Sequence, residues 1–559
     1  MFKQDYSPVT NSLGVSSIFA VLALITLFVL LGGLRMAAHW ASLIALGVAM
    51  IVAIAVYGMP LGQTLLSASE GATFGLFPIM WIVVTAIWLY NMTVSTGHFA
   101  VLRRSFGAVS TDQRVQAVMI AFCFGSLLEA LAGFGTPVAI CSVMLIALGF
   151  KPMKAVALTL VADTAPVAFG AIAIPITTLG QTSGLPTDDL GSMVGRQTPF
   201  LALLVPLILV FMVDGRRGVR QTWPVAAIGG LVFGALQFAT SNYISIQLTD
   251  VVASLGAAAA IVGLLRIWQP GEPRVAEGGV QRPAVAGASV SDTAMESEIA
   301  RRDRREKDPP GDVLKAYAPY MIIIAVFAIA QIGAIADWMA KKPGTLTFDW
   351  PGLHVVNAKG EPLMSLLFKF NWLPAAGTLM LFSAVITAAV LGVRPSRAFR
   401  LAGETLDQLK WAILTVATVL AIAYVMNQSG QTITLGLWAA GAGGFFAFLS
   451  PLIGWLGVAV TGSDTSSNAL FGALQVTAAK QAGLSQILLA AGNSSGGVLG
   501  KMISPQNLAI GAAAVGLTGR EGDLFRKVVL WSLLLVAVMC VLVYLQSKGI
   551  LDWMVVGTK

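Results

Sequence analysis

Long runs of apolar residues dominate the chain. Three of these runs have about the length that an α-helix needs to cross a bilayer, ~20 residues. They are Val15–Leu34, Tyr317–Ala336 and Val528–Leu545. They do not alternate apolar and polar positions, as membrane β-strands do. The pattern predicts an all-α polytopic membrane protein with roughly 12–14 crossings. The uninterrupted spans are expected near 15–34, 40–58, 76–96, 198–213, 223–243, 249–267, 316–336, 373–393, 411–428, 432–449 and 527–546.

Four further apolar stretches are interrupted by Gly, Pro, Ser, Thr and a few ionisable residues: 117–150, 155–180, 451–477 and 485–516. Non-helical backbone is costly at membrane depth unless it is buried in protein or lines a wet cavity. We therefore predict a binding site at these interruptions. They fall near Gly133–Pro137 with Asp163–Pro175, and near Gly462–Ser466 with Asn493–Pro505.

The two halves of the chain resemble each other in order and spacing. Subtracting 163 from 493 gives 330, and subtracting 133 from 462 gives 329. Several matches in the same order indicate an internal duplication, with coincidence in Gly-rich apolar sequence as the alternative. The matched positions are Asp163 with Asn493, Gly170 with Gly500, Pro175 with Pro505, Gly133 with Gly462, and Thr136 with Thr465.

Basic loops predict that equivalent segments cross in opposite directions. Cytoplasmic loops of membrane proteins carry the excess of Lys and Arg. Arg103 and Arg104 follow the segment Tyr90–Gly97, whereas Arg397 precedes the similar segment Tyr424–Gly430. With these loops in the cytoplasm, both termini are external. The arrangement predicts two inverted-topology repeats, which are typical of secondary transporters with a site at the repeat interface; a parallel repeat is the alternative.

A charged segment separates the halves. Residues 269–312 are rich in Pro, Gly and charged residues and include the mixed-charge run Arg301–Asp308. Such composition is typical of a flexible linker. We therefore expect an N-terminal repeat over 1–268, a cytoplasmic linker over 269–312 and a C-terminal repeat over 313–559. The linker is expected to act as a tether, with a regulatory docking segment as the alternative.

Composition narrows the function classes. Hydrophobic residues make up 56% and charged residues 11% of 559 residues, whereas soluble proteins carry about 25% charged residues. The net charge of +8 follows from basic connecting loops and does not indicate nucleic-acid binding. The three cysteines lie in apolar runs without metal-ligand or disulfide spacing. We expect no metal and no cofactor, and the sequence does not predict the oligomeric state.

Enzyme and pump motifs are weak or missing from the sequence. Gly492–Gly496 matches G-x-S-x-G, but that pattern needs a strand–turn–helix elbow and a histidine base. No histidine is expected at similar depth. The sequence contains no P-loop and no HExxH motif. Gradient-driven transport is therefore favoured over hydrolysis or ATP-driven pumping.

Four ionisable residues lie inside apolar stretches, where their cost makes them functional candidates. Lys501 is the candidate partner for a substrate carboxylate, with a structural pair to Asp464 or Asp163 as the alternative. Glu129, Asp163 and Asp464 are candidate proton carriers, and the sequence does not choose among them. Glu70 is expected to be a solvated residue on an external connection.

Hydroxyl and amide side chains cluster at the interruptions. Broken helices leave free N–H groups and positive dipole ends that suit an anion. The polar side chains could read a hydroxyl and a carboxylate, although small polar residues also allow close helix packing. The candidates are Thr136, Thr164, Ser463, Thr465, Ser466, Ser467, Asn468, Asn493, Ser494 and Ser495.

Several long motifs resemble the bacterial lactate permease family. They are Phe124–Ile140, Thr164–Gly170, Gly454–Asn468 and Gly496–Gln506, with Met193–Gln197 in an expected external loop. The resemblance covers essentially the whole chain. It implies proton symport of L-lactate, and often of D-lactate and glycolate, across the bacterial inner membrane. A sodium-coupled carboxylate transporter or an organic-anion channel is the alternative.

Two positions depart from the family pattern. The family usually reads Asn-Thr-Ala-Pro where this chain has Asp163-Thr-Ala-Pro. It often reads Glu-Gly-Ala-Ala-Gly-Phe-Gly where this chain begins Glu129-Ala-Leu-Ala. Because Asp163 adds an ionisable group, we expect a short 2-hydroxy monocarboxylate as the substrate rather than L-lactate in particular.

Overall fold

The computed structural model describes residues 1–34, 36–107, 109–131, 133, 135–271, 308–330, 332–361, 363, 367–517 and 519–557. Nearly all regular structure in this part of the chain is helical, which confirms the predicted fold class. The helices are α1 Leu13–Ala20, α2 Leu22–Phe28, α3 Ala38–Ala55, α4 Leu61–Phe74, α5 Trp81–Ser95, α6 His98–Gly107, α7 Gln113–Gln116, α8 Gly125–Leu131, α9 Thr136–Ala147, α10 Pro152–Ala162, α11 Gly170–Ser183, α12 Thr187–Val194, α13 Pro199–Tyr243, α14 Thr249–Ile267, α15 Pro310–Ala330, α16 Gly333–Ala340, α17 Ala376–Val390, α18 Pro395–Ser429, α19 Gln431–Ala439, α20 Phe446–Thr461, α21 Asp464–Gln481, α22 Gln486–Gly500, α23 Pro505–Ala514 and α24 Glu521–Gln546.

Ten helices in the described residues are long and apolar enough to cross a membrane, or eleven when one bent pair is included. This number is below the expected 12–14 crossings because some helices exceed one span. The α13 helix has 45 residues, about 68 Å at 1.5 Å per residue, whereas the hydrocarbon core is about 30 Å thick. Its backbone leaves helical geometry at Asp214, Gly215 and Thr222. The α13 helix therefore holds both spans predicted over 198–213 and 223–243.

All four predicted interruptions are breaks in helical structure. In the first half, α8 ends at Leu131 and α9 begins after the left-handed residue Gly135. In the second half, α20 ends at Thr461 and α21 follows the left-handed residue Gly462. Glycine is favoured at these turns because a Cβ makes a positive φ costly. The two halves thus share a helix–turn–helix arrangement.

The second break of each half also has a common form. A short 3₁₀ turn over Val167–Phe169 joins α10 to α11, and another over Lys501–Ile503 joins α22 to α23. The first of these helix pairs bends by 68°. Pro505 begins α23 at a position where its missing N–H costs no helical hydrogen bond. The breaks therefore recur in sequence order in both halves.

Helices from the two halves run in opposite directions beside each other. The Arg397 guanidinium donates to the Ser95 carbonyl at 2.7 Å, where α5 ends and α18 begins. The Gln428 amide donates to the Glu70 carboxylate at 2.7 Å, near the far end of α18. The chain from α4 to α5 is therefore antiparallel to α18. This geometry agrees with the predicted opposite crossing of the segments that end at Gly97 and Gly430.

Two small sheets lie among the helices and were not predicted. The β1 strand Phe2–Lys3 pairs in parallel with β3, Val355–Val356, and β2, Leu346–Asp349, pairs antiparallel with β4, Leu367–Phe370. The Gln4 amide donates to the carbonyls of Asn427 and Gln428 at the end of α18. The N-terminal segment and the β3 strand that pairs with it thus lie at the same end of α18, the end predicted to be external.

The predicted linker falls mostly outside the described residues. Asp308, which follows the undescribed part, forms an ion pair with Arg104 at 2.8 Å. Arg104 belongs to α6, which follows α5 at the end predicted to be cytoplasmic. The end of the linker that contains Asp308 therefore lies on the side predicted to be cytoplasmic.

The expectation for Glu70 was wrong. Glu70 lies in α4, its residue is 1% exposed, and it is not on a solvated connection. The α4 sequence mixes Gly, Ser, Thr and Gln with apolar residues, so it resembles a loop between two membrane spans. Gly71 explains the burial, because a Cβ there would lie 2.5 Å from the Leu420 carbonyl oxygen of α18. Close approach of the two backbones thus encloses the Glu70 side chain.

Candidate functional site

A cavity of about 1010 Å³ lies where the breaks of the two halves meet. The first half contributes the end of α8 and the turn that begins α11. The second half contributes the turn before α21 and the turn that contains Lys501. The lining residues at the breaks include Glu129, Gly133, Gly170, Ala171, Ser463, Asp464, Thr465, Ser466, Lys501 and Gln506.

Lys501 joins the two halves at this cavity. Its residue is 5% exposed, and its Nζ donates to Glu129 Oε1 at 2.5 Å. The same Nζ lies 3.2 Å from Asp163 Oδ2. Glu129 lies in the last turn of α8, and Asp163 caps the end of α10, so both carboxylates come from the first half. The ionic partners of Lys501 are therefore Glu129 and Asp163, and Asp464 forms no ion pair with it in the described structure.

The cluster is electrostatically unbalanced when all its groups are ionised. One ammonium group faces two carboxylates, which leaves a net charge of −1. Glu129 Oε2 and Asp163 Oδ1 are buried and accept no hydrogen bond from a described residue. Unpaired charge is costly in a low-dielectric interior. A proton on either carboxyl would neutralise the cluster, and a bound anion would then meet less repulsion.

Asp464 occupies a separate, amide-lined position at the first turn of α21. Its Oδ2 accepts from the Ser494 hydroxyl at 2.6 Å and from the Asn468 amide at 3.2 Å. Asn493 donates to Asn468 Oδ1 at 2.9 Å, and Gln475 donates to Asn493 Oδ1 at 3.1 Å. This buried relay fixes the orientation of the Asp464 side chain. The N-terminal end of α21 also stabilises its negative charge.

The break segments carry conformational strain. Ala171, Ile172 and Ala173 have φ values of 43°, 58° and 58°, all in the left-handed region. Each such residue costs about 1–2 kcal/mol relative to right-handed geometry. Ala171 lines the cavity and lies beside Gly133. Strained backbone is characteristic of functional segments whose surroundings hold them in place.

The predicted site residues divide into two groups. Six line the cavity: Glu129, Ser463, Asp464, Thr465, Ser466 and Lys501. The other eight support it or lie nearby without lining it: Thr136, Asp163, Thr164, Ser467, Asn468, Asn493, Ser494 and Ser495.

Several hydroxyls in the second group hold the local structure. Thr164 donates to the Val161 carbonyl at 2.7 Å, and Ser495 donates to Gln197 Oε1 at 2.7 Å. Ser467 likewise donates to the Gly454 carbonyl at 3.1 Å. For these side chains the observed contacts match the helix-packing alternative.

Some lining residues were missed in the sequence. Gln506 lies against the turn at Gly462, where a Cβ would come 2.6 Å from Gln506 Oε1. His39 and Trp411 stack with ring centroids 4.4 Å apart and line a further part of the same cavity. Gln506 ends one of the family-like motifs, which is a signal that could have identified it. His39 and Trp411 come from different spans, and no sequence pattern brings them together.

Comparisons with known proteins identify sequence relatives over nearly the whole chain. The sequence profile of the L-lactate permease family matches residues 16–549. Glycolate permease GlcA of Escherichia coli K12 is 42% identical over 97% of this chain and 98% of its own length. The L-lactate permease of Bacillus subtilis 168 is 40% identical over 99% of both chains. Among solved structures, MtrF of Neisseria gonorrhoeae aligns over 86% of this chain and 82% of its own, with 12% identity and a TM-score of 0.45.

The profile and the two permeases cover almost the full length of the chain, including every break that forms the cavity. The resemblance found in the motifs is thereby confirmed, and the chain is a member of the L-lactate permease family.

Proposed function

We propose that this protein imports short 2-hydroxy monocarboxylates, such as L-lactate, D-lactate and glycolate, by proton symport across the bacterial inner membrane. Relatives named glycolate permease and L-lactate permease support this substrate class. The single observation that carries the proposal is the contact of Lys501 with Glu129 and Asp163 beside a cavity at the helix breaks. This cluster contains a cation for a carboxylate and acids for a proton.

Coupling follows from competition for Lys501. When Glu129 is ionised, its carboxylate is paired with the Lys501 ammonium group. An incoming anion then meets a cluster whose net charge is −1. Protonation of Glu129 weakens that ion pair and frees Lys501 for the substrate carboxylate. Substrate and proton then bind together, and their release restores the Lys501–Glu129 pair. Asp163 and Asp464 remain candidate proton carriers beside Glu129.

The hydroxyl groups at the start of α21 provide a second point of recognition. Thr465 and Ser466 line the cavity on its first turn, and Ser463 caps the helix by accepting from the Ser466 backbone N–H. Side chains of this type can hydrogen-bond both the 2-hydroxyl and the carboxylate of the substrate. A simple fatty acid without the hydroxyl should therefore bind less tightly.

The division into repeats belongs to the same proposal. Residues 1–268 and 313–559 would form the two inverted repeats, and the linker over 269–312 would tether them. The paired breaks and the antiparallel packing of α18 against the α4–α5 segment support this division. Substrate would then bind between groups from both repeats, as in other secondary transporters.

Uptake into proteoliposomes tests the proposal. Purified protein should accumulate lactate and glycolate when the external medium is more acidic than the lumen, and a protonophore should abolish accumulation. Uptake that needs a sodium gradient and ignores the pH gradient would contradict proton coupling. Transport of a different solute, with neither acid carried, would contradict the substrate class.

Counterflow separates a carrier from a channel. Vesicles preloaded with unlabelled lactate should take up labelled lactate transiently without any ion gradient. A carrier shows this exchange because its site faces one side at a time. Ohmic current without counterflow would support the organic-anion channel instead.

A further inference from the structure

Gly170 lies directly against the Glu129 side chain. A Cβ added at Gly170 would stand 2.7 Å from Glu129 Oε1 and 3.3 Å from both Cγ and Cδ. Gly170 has φ −61° and ψ 154°, a conformation open to any residue. Backbone freedom therefore does not require glycine here. The requirement comes from the space that the carboxylate occupies.

Glu129 has little room to yield to such a Cβ. Its Oε1 already accepts from Lys501, and its residue is 3% exposed. On another side lies Gly133, where an added Cβ would stand 3.6 Å from the same oxygen. The left-handed residues Ala171 to Ala173 continue the chain directly after Gly170. The backbone at Gly133 and Gly170 thus lies against the Glu129 side chain, which otherwise contacts Lys501 and faces the cavity.

We propose that Gly170 is a positioning residue whose missing side chain holds the Glu129 carboxylate against Lys501. A methyl group at Gly170 would push Oε1 away from the ammonium group and weaken the contact that links the two halves. The consequence for transport rests on the proposed function, in which Glu129 and a substrate compete for Lys501. The steric coupling between Gly170 and Glu129 does not depend on that function.

A double-mutant cycle on thermal unfolding tests the steric part without any transport measurement. Gly170→Ala should lower the melting temperature of the purified, detergent-solubilised protein. In a Glu129→Ala background the same substitution should lower it much less, because the space is vacant. An equal loss in both backgrounds would overturn the proposal. If Gly170→Ala alone does not fold, folding of the double variant supports the proposal and failure of both variants overturns it.

Transport then tests the positioning role. Gly170→Ala should lower lactate uptake by roughly tenfold to a hundredfold, as expected for misplaced binding groups, and should change its dependence on pH. Adding Glu129→Asp, which shortens the acid, should restore part of the uptake. The control is Gly263→Ala in α14, where, apart from the adjacent backbone of its own helix, no described atom lies within 4 Å of the added Cβ. An unchanged pH profile, or a double variant no better than Gly170→Ala, would overturn the role. Failure of wild-type protein to carry either acid would instead contradict the proposed function.

Discussion

Two buried acids, Glu129 and Glu70, have contrasting surroundings. Glu129 lies at a helix break, contacts Lys501 and lines the large cavity. Glu70 lies in the continuous helix α4, accepts from the Gln428 amide at 2.7 Å and does not line that cavity. No described ion pair involves Glu70. Both residues lie between elements of the two halves. Of the two, Glu129 faces the cavity that a substrate can enter, and Glu70 does not.

The contrast shows that burial of an acid does not by itself define a transport site. An acid paired with a cation beside a cavity can exchange its partner for a ligand. An acid held by an amide between close-packed backbones has no such exchange available. We therefore expect substitutions at the Lys501 cluster to alter transport, and substitutions at Glu70 to alter mainly stability. The following variants examine this comparison.

The largest effect is expected at Lys501. Lys501→Ala should reduce lactate uptake by about a hundredfold or more, because it leaves two buried carboxylates without their cation. Removing one partner of a buried ion pair costs roughly 3–5 kcal/mol, so folding must be checked by size-exclusion chromatography. Lys501→Gln keeps a hydrogen-bond donor and should fold better while remaining inactive.

Lys410→Ala is the matched control for the loss of a lysine. Lys410 pairs with Asp407 at 2.8 Å on an exposed face of α18. Exposed pairs contribute about 0–1 kcal/mol, so uptake and stability should stay near wild type. Substantial uptake by folded Lys501→Gln would refute the proposed role of this cation.

Glu129→Gln should separate substrate movement from proton movement. The amide keeps the size of the side chain but cannot carry the proton. Accumulation of lactate under an imposed pH gradient should fall by about tenfold or more, in line with the usual effect of losing a proton-transfer group. Counterflow should persist, since it needs no net proton transfer. If this variant accumulates lactate as fully as wild type under a pH gradient, the proton carrier would be Asp163 or Asp464 instead of Glu129.

Asp163→Asn should have a smaller effect than Glu129→Gln. Asp163 Oδ2 lies 3.2 Å from Lys501 Nζ, does not line the cavity and makes no described hydrogen bond. The substitution also gives Asn-Thr-Ala-Pro, the sequence that the resemblance to the family leads us to expect at this position. Uptake should fall by no more than about threefold, and its pH dependence should change because one ionisable group is gone. A loss as large as that of Glu129→Gln would make Asp163 the main coupling residue.

Sequence alone predicted the helical fold and the four breaks because each depends on local signals. Long apolar runs indicate spans, and Gly462 or Pro505 inside such runs indicates a break. The sequence indicated Lys501 as a candidate site residue because a cation at membrane depth is rare. Asp163 was predicted as a possible partner of Lys501, together with Asp464, and the folded structure brings Asp163 to it. Glu129 was not predicted as a partner, because no sequence pattern pairs these two distant segments.

The failures of sequence prediction come from contacts between distant segments. Glu70 looked solvated because the composition of α4 is mixed, and only the backbone contact of Gly71 with α18 encloses it. The stacking of His39 on Trp411 and the pairing of β1 with β3 also join residues far apart in the chain. A single sequence carries no pattern for such pairings. Ser495 and Thr164 remain predicted site residues, and in the structure their hydroxyls donate to Gln197 and to the Val161 carbonyl.

The smallest transport effect is expected at Glu70. Its variants test whether this buried acid has a structural role rather than a role in transport. Glu70→Gln should leave pH-driven lactate uptake within about twofold of wild type, because among the described residues Glu70 has no cationic partner and does not line the large cavity. Glu70→Ala should lower the stability by about 1–3 kcal/mol, since it leaves the buried Gln428 amide unsatisfied.

Replacing both partners, as Glu70→Leu with Gln428→Leu, should recover much of that stability, because two apolar groups leave no unsatisfied polar atom. Thermal unfolding and proteoliposome uptake measured on the same preparations separate the two effects. If folded Glu70→Gln instead loses pH-driven accumulation but retains counterflow, Glu70 would carry a proton during transport. A neutral amide partner and a position outside the lining of the cavity would then no longer distinguish a structural acid from a coupling acid in this fold.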